Sequence, residues 1–276
     1  MRRHLSVFKL FVILATLSFM FCPKAGAGWE TGVKAGYDTN VNRSLIDERS
    51  DSYLTGYLSF SREAPREKNL DWTFDVNLEA SAYARLSDLN CVMLTVAPGV
   101  VFNPFSKWTV NVAPFIQGKA VSDGNQTAVA FGGKIMLKQQ WTQTVYTGEY
   151  VMYADSRADN DVYSYDETAA GLYAGVNWTS AFFSEIGYEY ARGDSFRSVG
   201  EIVVQGAGHG RRPRYSSTFN EYIISEPVNR HTIGLNLGYQ FSRSFFSFIN
   251  YAYVTYRGDT GRSKSYTAAF GLGYEF

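Results

Sequence analysis

The 276-residue chain balances 26 Lys and Arg against 26 Asp and Glu and carries two cysteines, Cys22 and Cys91. That balance leaves no basic footprint for nucleic acid, and so few cysteines exclude a disulfide scaffold or a cysteine-based zinc cluster. Twenty tyrosines, 20 phenylalanines and 25 glycines against seven prolines point instead to long strands.

The first element is an export segment, residues 1–27. Arg2, Arg3, His4 and Lys9 precede an apolar run, Leu10–Phe21, which ends in Ala25-Gly26-Ala27. That is the pattern of a cleavable secretory signal peptide, and the run is too short to cross hydrocarbon as a helix, which takes about 20 residues. Cleavage after Ala27 leaves residues 28–276 as one domain. Cys22 follows the bulky Phe21, which argues against lipid attachment. The lost stretch takes four Lys or Arg and no acid with it, so the remainder carries a net charge of −4. Cys91 then stays as a lone lumen or core thiol. No later run is apolar for 18 residues, which excludes a helical membrane domain.

From Trp29 onward the chain alternates. The last segment is the cleanest: Tyr266, Ala268, Phe270, Leu272, Tyr274 and Phe276 share one face, with Thr267, Ala269, Gly271, Gly273 and Glu275 on the other. Period two is the strand signature. In chain order the same test predicts strands at residues 29–37, 52–61, 71–85, 91–102, 108–121, 127–140, 144–154, 167–179, 183–192, 230–241, 244–257 and 265–276. The seventh and eleventh have mixed faces. Several run longer than the roughly 5–6 residues usual in soluble sheets and match the 9–11 that cross an outer membrane at a tilt. Fourteen is the rival count, with a further hairpin at Glu201–Val204 and Tyr222–Ser225.

Connections alternate too. Residues 64–70, 103–107, 141–143 and 180–182 and the break near Ser242 are short. Residues 38–51, 155–166, 196–229 and 258–264 are longer and polar, although 86–90 and 122–126 in the same set are not long. Short turns on one rim and long loops on the other are the habit of membrane barrels. With strand one starting at the short-turn rim, Trp29, Trp72, Trp108, Trp141 and Trp178 all fall on that rim, the periplasmic one. Tyr37, Tyr53, Tyr83, Tyr153, Tyr190, Tyr253, Tyr256 and Tyr266 fall near the other. Two aromatic girdles are expected.

The terminal Tyr274-Glu275-Phe276, closing an alternating strand, resembles the carboxy-terminal signature of Gram-negative outer-membrane β-barrel proteins. That resemblance implies an integral outer-membrane protein whose Phe276 is read by the barrel assembly machinery, with membrane lipids and lipopolysaccharide as neighbours. Residues Gly36-Tyr37-Asp38-Thr39-Asn40-Val41-Asn42-Arg43 are similar to the first strand and loop of porin-like barrels found with exopolysaccharide export genes. They are also similar to the barrel part of surface lipoprotein assembly modifiers, whose preceding helical repeat domain this sequence lacks.

The fold expectation is therefore an all-β, antiparallel, up-and-down transmembrane barrel of twelve strands, monomeric, with a lumen of intermediate width. Inward positions include Lys34, Asp75, Glu79, Arg85, Lys119, Lys134, Lys138, Glu185 and Glu189 as candidates for lining a pore. Both signs occur, so these charges either pair with one another or contact a small polar solute. Lys134 and Lys138, four apart on one face, suit an anion, with Glu79, Glu185 and Glu189 as alternative partners. In the long loop, His209, Arg211, Arg212 and Arg214 sit among glycines, placed either against lipopolysaccharide phosphates or folded inward as a constriction. After the leader, only His209 and His231 remain. With Ser216 and Ser217 as possible nucleophiles, no spacing fixes a base, so no catalytic residue, metal site or cofactor is expected. A passive porin-like channel for small hydrophilic or oligosaccharide-like solutes is the functional expectation. A non-conducting structural or surface-recognition barrel is the alternative, ahead of an outer-membrane hydrolase.

Overall fold

A computed structural model describes residues 27–62, 68–199 and 213–276. Its strands are β1 (Ala27–Asp38), β2 (Asp51–Arg62), β3 (Leu70–Tyr83), β4 (Cys91–Phe105), β5 (Trp108–Val121), β6 (Ala128–Gln140) and β7 (Val145–Ala158). They continue with β8 (Tyr165–Asn177), β9 (Phe182–Val199), the three-residue β10 (Arg214–Ser216), β11 (Glu221–Gln240), β12 (Phe245–Gly258) and β13 (Gly261–Glu275). Each long strand pairs antiparallel with the next. β13 returns to β1, with Leu272 opposite Val33, and β9 pairs directly with β11, with Gly187 opposite Gly234. The ring of twelve long strands is thus closed, and β10 hangs on β11 alone. Closure leaves no ladder edge unpaired, the condition for a sheet in hydrocarbon.

Twelve is the strand count, and the fourteen-strand alternative is corrected. Tyr222–Ser225 prolong β11 and do not start a further spanning pair. Glu201–Val204, like the leader with Cys22, lie outside the described residues. Ala27 opens β1.

The alternation fixes the faces. Val33, Val129, Phe131, Ile135, Leu172 and Phe270 are all at least 45% exposed and point outward. A belt of large apolar side chains on the outside, with polar side chains within, is the arrangement of a membrane barrel and not of a soluble one. All five tryptophans stand at the short-turn rim, at the starts of β1, β3 and β5 and just past the ends of β6 and β8. The second girdle is only partial. Tyr37, Tyr153, Tyr190 and Tyr266 are exposed outward, and Tyr253 packs on Tyr266 at 4.9 Å. Tyr53, in contrast, lies inward over Gly36.

Two mixed-face strands have one cause. In β7, Tyr146 and Tyr150 turn inward and lie over Gly175 and Gly171 of β8, and in β12, Phe246 and Phe248 lie over Gly273 and Gly271 of β13. A Cβ at Gly175 would fall within the Tyr146 ring. The glycine leaves a slot in the lumen wall, and the neighbouring ring fills it flat. Aromatic residues therefore occupy the inner face where the sequence alone suggests lipid.

The expected loop at residues 258–264 contracts to a two-residue turn, because Gly258 pairs with Gly261 and Gly261 adopts φ 136°, which an L-residue avoids. Residues 155–158 and 165–166 likewise join their strands.

Candidate functional site

The outer mouth is the distinctive part of the molecule. Pairing of β8 with β9 stops at Glu167 opposite Gly193, and pairing of β11 with β12 begins at Val228 opposite Gly258. β9 and β11 nevertheless stay paired to Val199 opposite Tyr222. The two strands therefore outrun the barrel by some six residues. An isolated two-stranded ribbon is marginally stable in water. Here Arg197, Ser198, Phe219, Ile223, Ile224 and Glu226 are almost completely buried, so the extension is covered on both sides.

What covers it are the other outer connections. Phe219 and Ile223 pack with Leu89, Val162 and Tyr163, flanked by Val41, Leu86 and Phe196. These come from the connections after β1, β3 and β7, widely spaced around the ring, so the extension crosses the mouth. Polar contacts repeat the pattern. The Asn42 amide donates to Glu221 at 3.2 Å, Thr218 donates to Asp123 at 3.2 Å, and the Tyr163 hydroxyl meets Ser216 at 3.2 Å. Arg197 binds the Glu226 carboxylate at 2.9 Å, the Gly261 carbonyl at 2.8 Å and the Ser263 hydroxyl at 2.9 Å. The described parts of the long segment, residues 195–199 and 213–227, thus fold inward as a cap.

The first outer loop shows how its sequence builds this lid. Asn40 donates to the carbonyls of Ser44 and Lys264 at 3.0 and 2.9 Å, and Asn42 accepts from the Arg49 amide at 2.9 Å. Both amides are buried and replace missing ladder partners. Val41 joins the apolar cluster. Arg43, at φ 51°, directs its guanidinium to Ser195 and over the rings of Phe196 and Tyr256 at 4.7 and 5.4 Å.

Beneath the cap lies a chamber of about 280 Å³ lined by Arg43, Lys119, Glu167, Phe196, Arg230 and Tyr256, among others. Arg230 donates to Glu167 at 2.9 Å and to Glu189 at 2.8 Å. Below it the lumen wall is a polar network. Lys34 pairs with Glu79 at 3.4 Å, and Glu185 accepts from Tyr146 at 3.0 Å and Asn236 at 3.2 Å. Asn236 accepts in turn from Asn250 at 2.8 Å. Lys134 and Lys138 do not reach the glutamates. Their ammonium groups lie over the rings of Tyr150 and Tyr146, at 4.3 and 4.4 Å, while those hydroxyls bind Glu189 and Glu185. Tyrosine is the intermediary between cation and carboxylate.

Of the other residues marked by the sequence, Asp75 is an exposed lumen carboxylate, and Arg85 lies past β3 in the outer turn rather than on the barrel wall. Arg214 opens β10 with its side chain exposed, whereas His209, Arg211 and Arg212 lie outside the described residues. Phe276 meets the Tyr274 ring edge-on at 4.9 Å, and its amide donates to the Trp29 carbonyl at 2.9 Å. His231 meets the Tyr188 hydroxyl at 2.8 Å on the outer face, away from Ser216 in the cap. Among the described residues no group of three or more His, Cys, Asp or Glu is placed to hold a metal.

Arg43, Glu167, Arg230, Tyr146 and Tyr150 are not among the site residues that the sequence marks. Arg230 shares parity with Thr232 and Gly234, so carrying the tenth strand's inner face back one step finds it. Tyr146 and Tyr150 were hidden by the premise that rings face lipid.

No family model and no curated protein sequence matches the chain. An outer-membrane channel from Pseudomonas putida F1 superposes with a TM-score of 0.58 at 9% identity, covering 93% of this chain and 100% of that one. The KdgM porin in complex with disordered oligogalacturonate gives 0.51 at 9% identity, covering 90% and 99%. At such identity the likeness is one of fold: the chain is a closed twelve-strand antiparallel barrel that shares its architecture with these outer-membrane channels.

Proposed function

We propose that this protein is a passive outer-membrane channel for small hydrophilic or oligosaccharide-like solutes, held shut at the outer mouth by the β9–β11 extension. The carrying observation is the division of the lumen. Its wall is a hydrogen-bonded polar surface, and what blocks the outer end is a discrete two-stranded cap seated on the loops. A barrel built only as a scaffold would need side-chain filling and no separate lid. The porin among the structural neighbours, described in complex with an oligogalacturonate, supports solutes of this class.

The reading further includes export by the amino-terminal signal peptide, residence in the outer membrane of a Gram-negative cell, insertion through the assembly machinery that reads Phe276, and function as a monomer without catalysis. Separation of His231 from Ser216 supports the last point. The cap also favours a second reading, a permanently sealed recognition barrel whose loops face outward. Liposome swelling decides between them. Refolded chain with residues 195–226 replaced by an Asn-Gly turn, a pair suited to tight hairpins, should admit monosaccharides. Vesicles that stay impermeable after this replacement reject the channel and leave the sealed barrel.

A further inference from the structure

Charges in the chamber are matched differently from those in the rest of the lumen. Lower down, Lys34 has Glu79, and Lys134 and Lys138 have tyrosine rings. In the chamber, Arg230 is held by Glu167 and Glu189. Among the described residues Arg43 and Lys119 have no such carboxylate. Arg43 faces two rings and gives an N–H to Ser195. The Lys119 ammonium makes no hydrogen bond or ion pair with the described residues and feels the Cys91 thiol, the positive charge of Arg43 and the carboxylate of Asp123. Asp194 shares the lining, and Arg43 also feels Glu167, but neither acid bonds to Arg43 or Lys119 among the described residues. Two cations that line one space without a bonded anion among the described residues are the complement of an incoming carboxylate, which can accept charge-assisted hydrogen bonds from both.

The remaining lining narrows the ligand. The amides of Gln117 and Gln126 and the hydroxyl of Ser156 border the same space. Such hydrogen-bonding groups beside the two cations suit an acid that also carries hydroxyls. At about 280 Å³ the chamber falls just below the roughly 300–1,000 Å³ of sites for drug-sized ligands, so it takes one ring at a time.

We infer that the chamber binds a sugar acid, with its carboxylate between Lys119 and Arg43 and its hydroxyls on the Gln117 and Gln126 amides. The inference rests on the channel reading and names the solute class that the channel selects. Refolded full-length protein is titrated with D-glucuronate and with D-glucose by ligand-observed NMR. Glucuronate should bind about tenfold or more tightly than glucose, the ratio expected when charge-assisted hydrogen bonds of about 1.5–3 kcal/mol are gained. Lys119→Gln should erase that preference, as should Arg43→Gln, whereas Lys107→Gln in the β4–β5 turn should keep it. Heat-modifiable gel mobility establishes that each variant is folded. Equal affinity for the two sugars, or an undiminished preference in folded Lys119→Gln and Arg43→Gln, overturns the inference. A chain that conducts without discriminating defeats this inference alone, and one that discriminates yet stays impermeable without its cap defeats the channel alone.

Discussion

Replacing Arg197 with Met should unlatch the cap. Both Arg197 and Glu226 side chains are 0% exposed, and they meet at 2.9 Å. The guanidinium also binds the Gly261 carbonyl and the Ser263 hydroxyl, while Glu226 accepts the Thr260 amide at 3.1 Å. The pair thus fastens the β9–β11 extension to the β12–β13 turn. Removing one partner from a buried ion pair costs about 3–5 kcal/mol, because the other charge stays buried without compensation. At about 1.4 kcal/mol per factor of ten, the cap's open population should rise by about two to three and a half orders of magnitude if the cost falls on the cap alone. The double replacement Arg197→Met with Glu226→Leu should recover much of it, since apolar substitutes for a buried pair are often neutral. Single-channel open probability reads the cap directly, and the rate of limited proteolysis within residues 195–226 reads it independently. Wild-type values for both in Arg197→Met, or a double variant no better than the single, would refute the assignment of the pair as the latch.

Three further outcomes follow from the wall and the rim. Gly175→Val puts a side chain where the Tyr146 ring lies. Overpacking of this kind costs about 1–3 kcal/mol, to be read as a lower urea midpoint for unfolding in detergent, and an unchanged midpoint would dismiss the ring-over-glycine packing. Lys34→Met removes a partly exposed pair worth at most about 1 kcal/mol. It should leave stability nearly intact while shifting the cap-replaced variant toward cations, visible in the reversal potential under a salt gradient. Because all five tryptophans stand at one rim, lipids brominated near the headgroup should quench their fluorescence more than lipids brominated at the chain end. The opposite order would move the rim into the bilayer centre.

Much of the barrel is legible in the sequence because two solvents dictate it. Lipid outside and a polar lumen inside impose period two on Lys34, Lys134 and Leu272 alike, and apart from the outer ends of β9 and β11 strand ends fall within a few residues of the periodicity. Where the reading fails, a third environment is present. Tyr146 and Phe246 face inward because a neighbouring strand offers glycine, information held on another segment. Residues 221–227 read as loop in the twelve-strand count, and Tyr222–Ser225 as half of an extra hairpin in the fourteen-strand one, because their burial depends on Leu89, Val162 and Asn42, more than 50 residues away in sequence. Local sequence does not show that this stretch prolongs β11 against the tips of other loops. For the same reason Arg43 looks like an ordinary loop cation until the cap brings Ser195 and Phe196 to it. The alternation of short and long connections holds as a rim assignment, yet Gly258–Gly261 shows that loop length read from polarity overshoots where paired strands run past the membrane.

The central claim is that a polar conduit exists and that the β9–β11 extension shuts it. Single-channel recording of the refolded full chain beside the variant carrying Asn-Gly in place of residues 195–226 tests this most directly. Long closed intervals are expected for the full chain and steady, discrete conductance for the variant. Equal conductance from both proteins would contradict the cap, and silence from both would contradict the conduit.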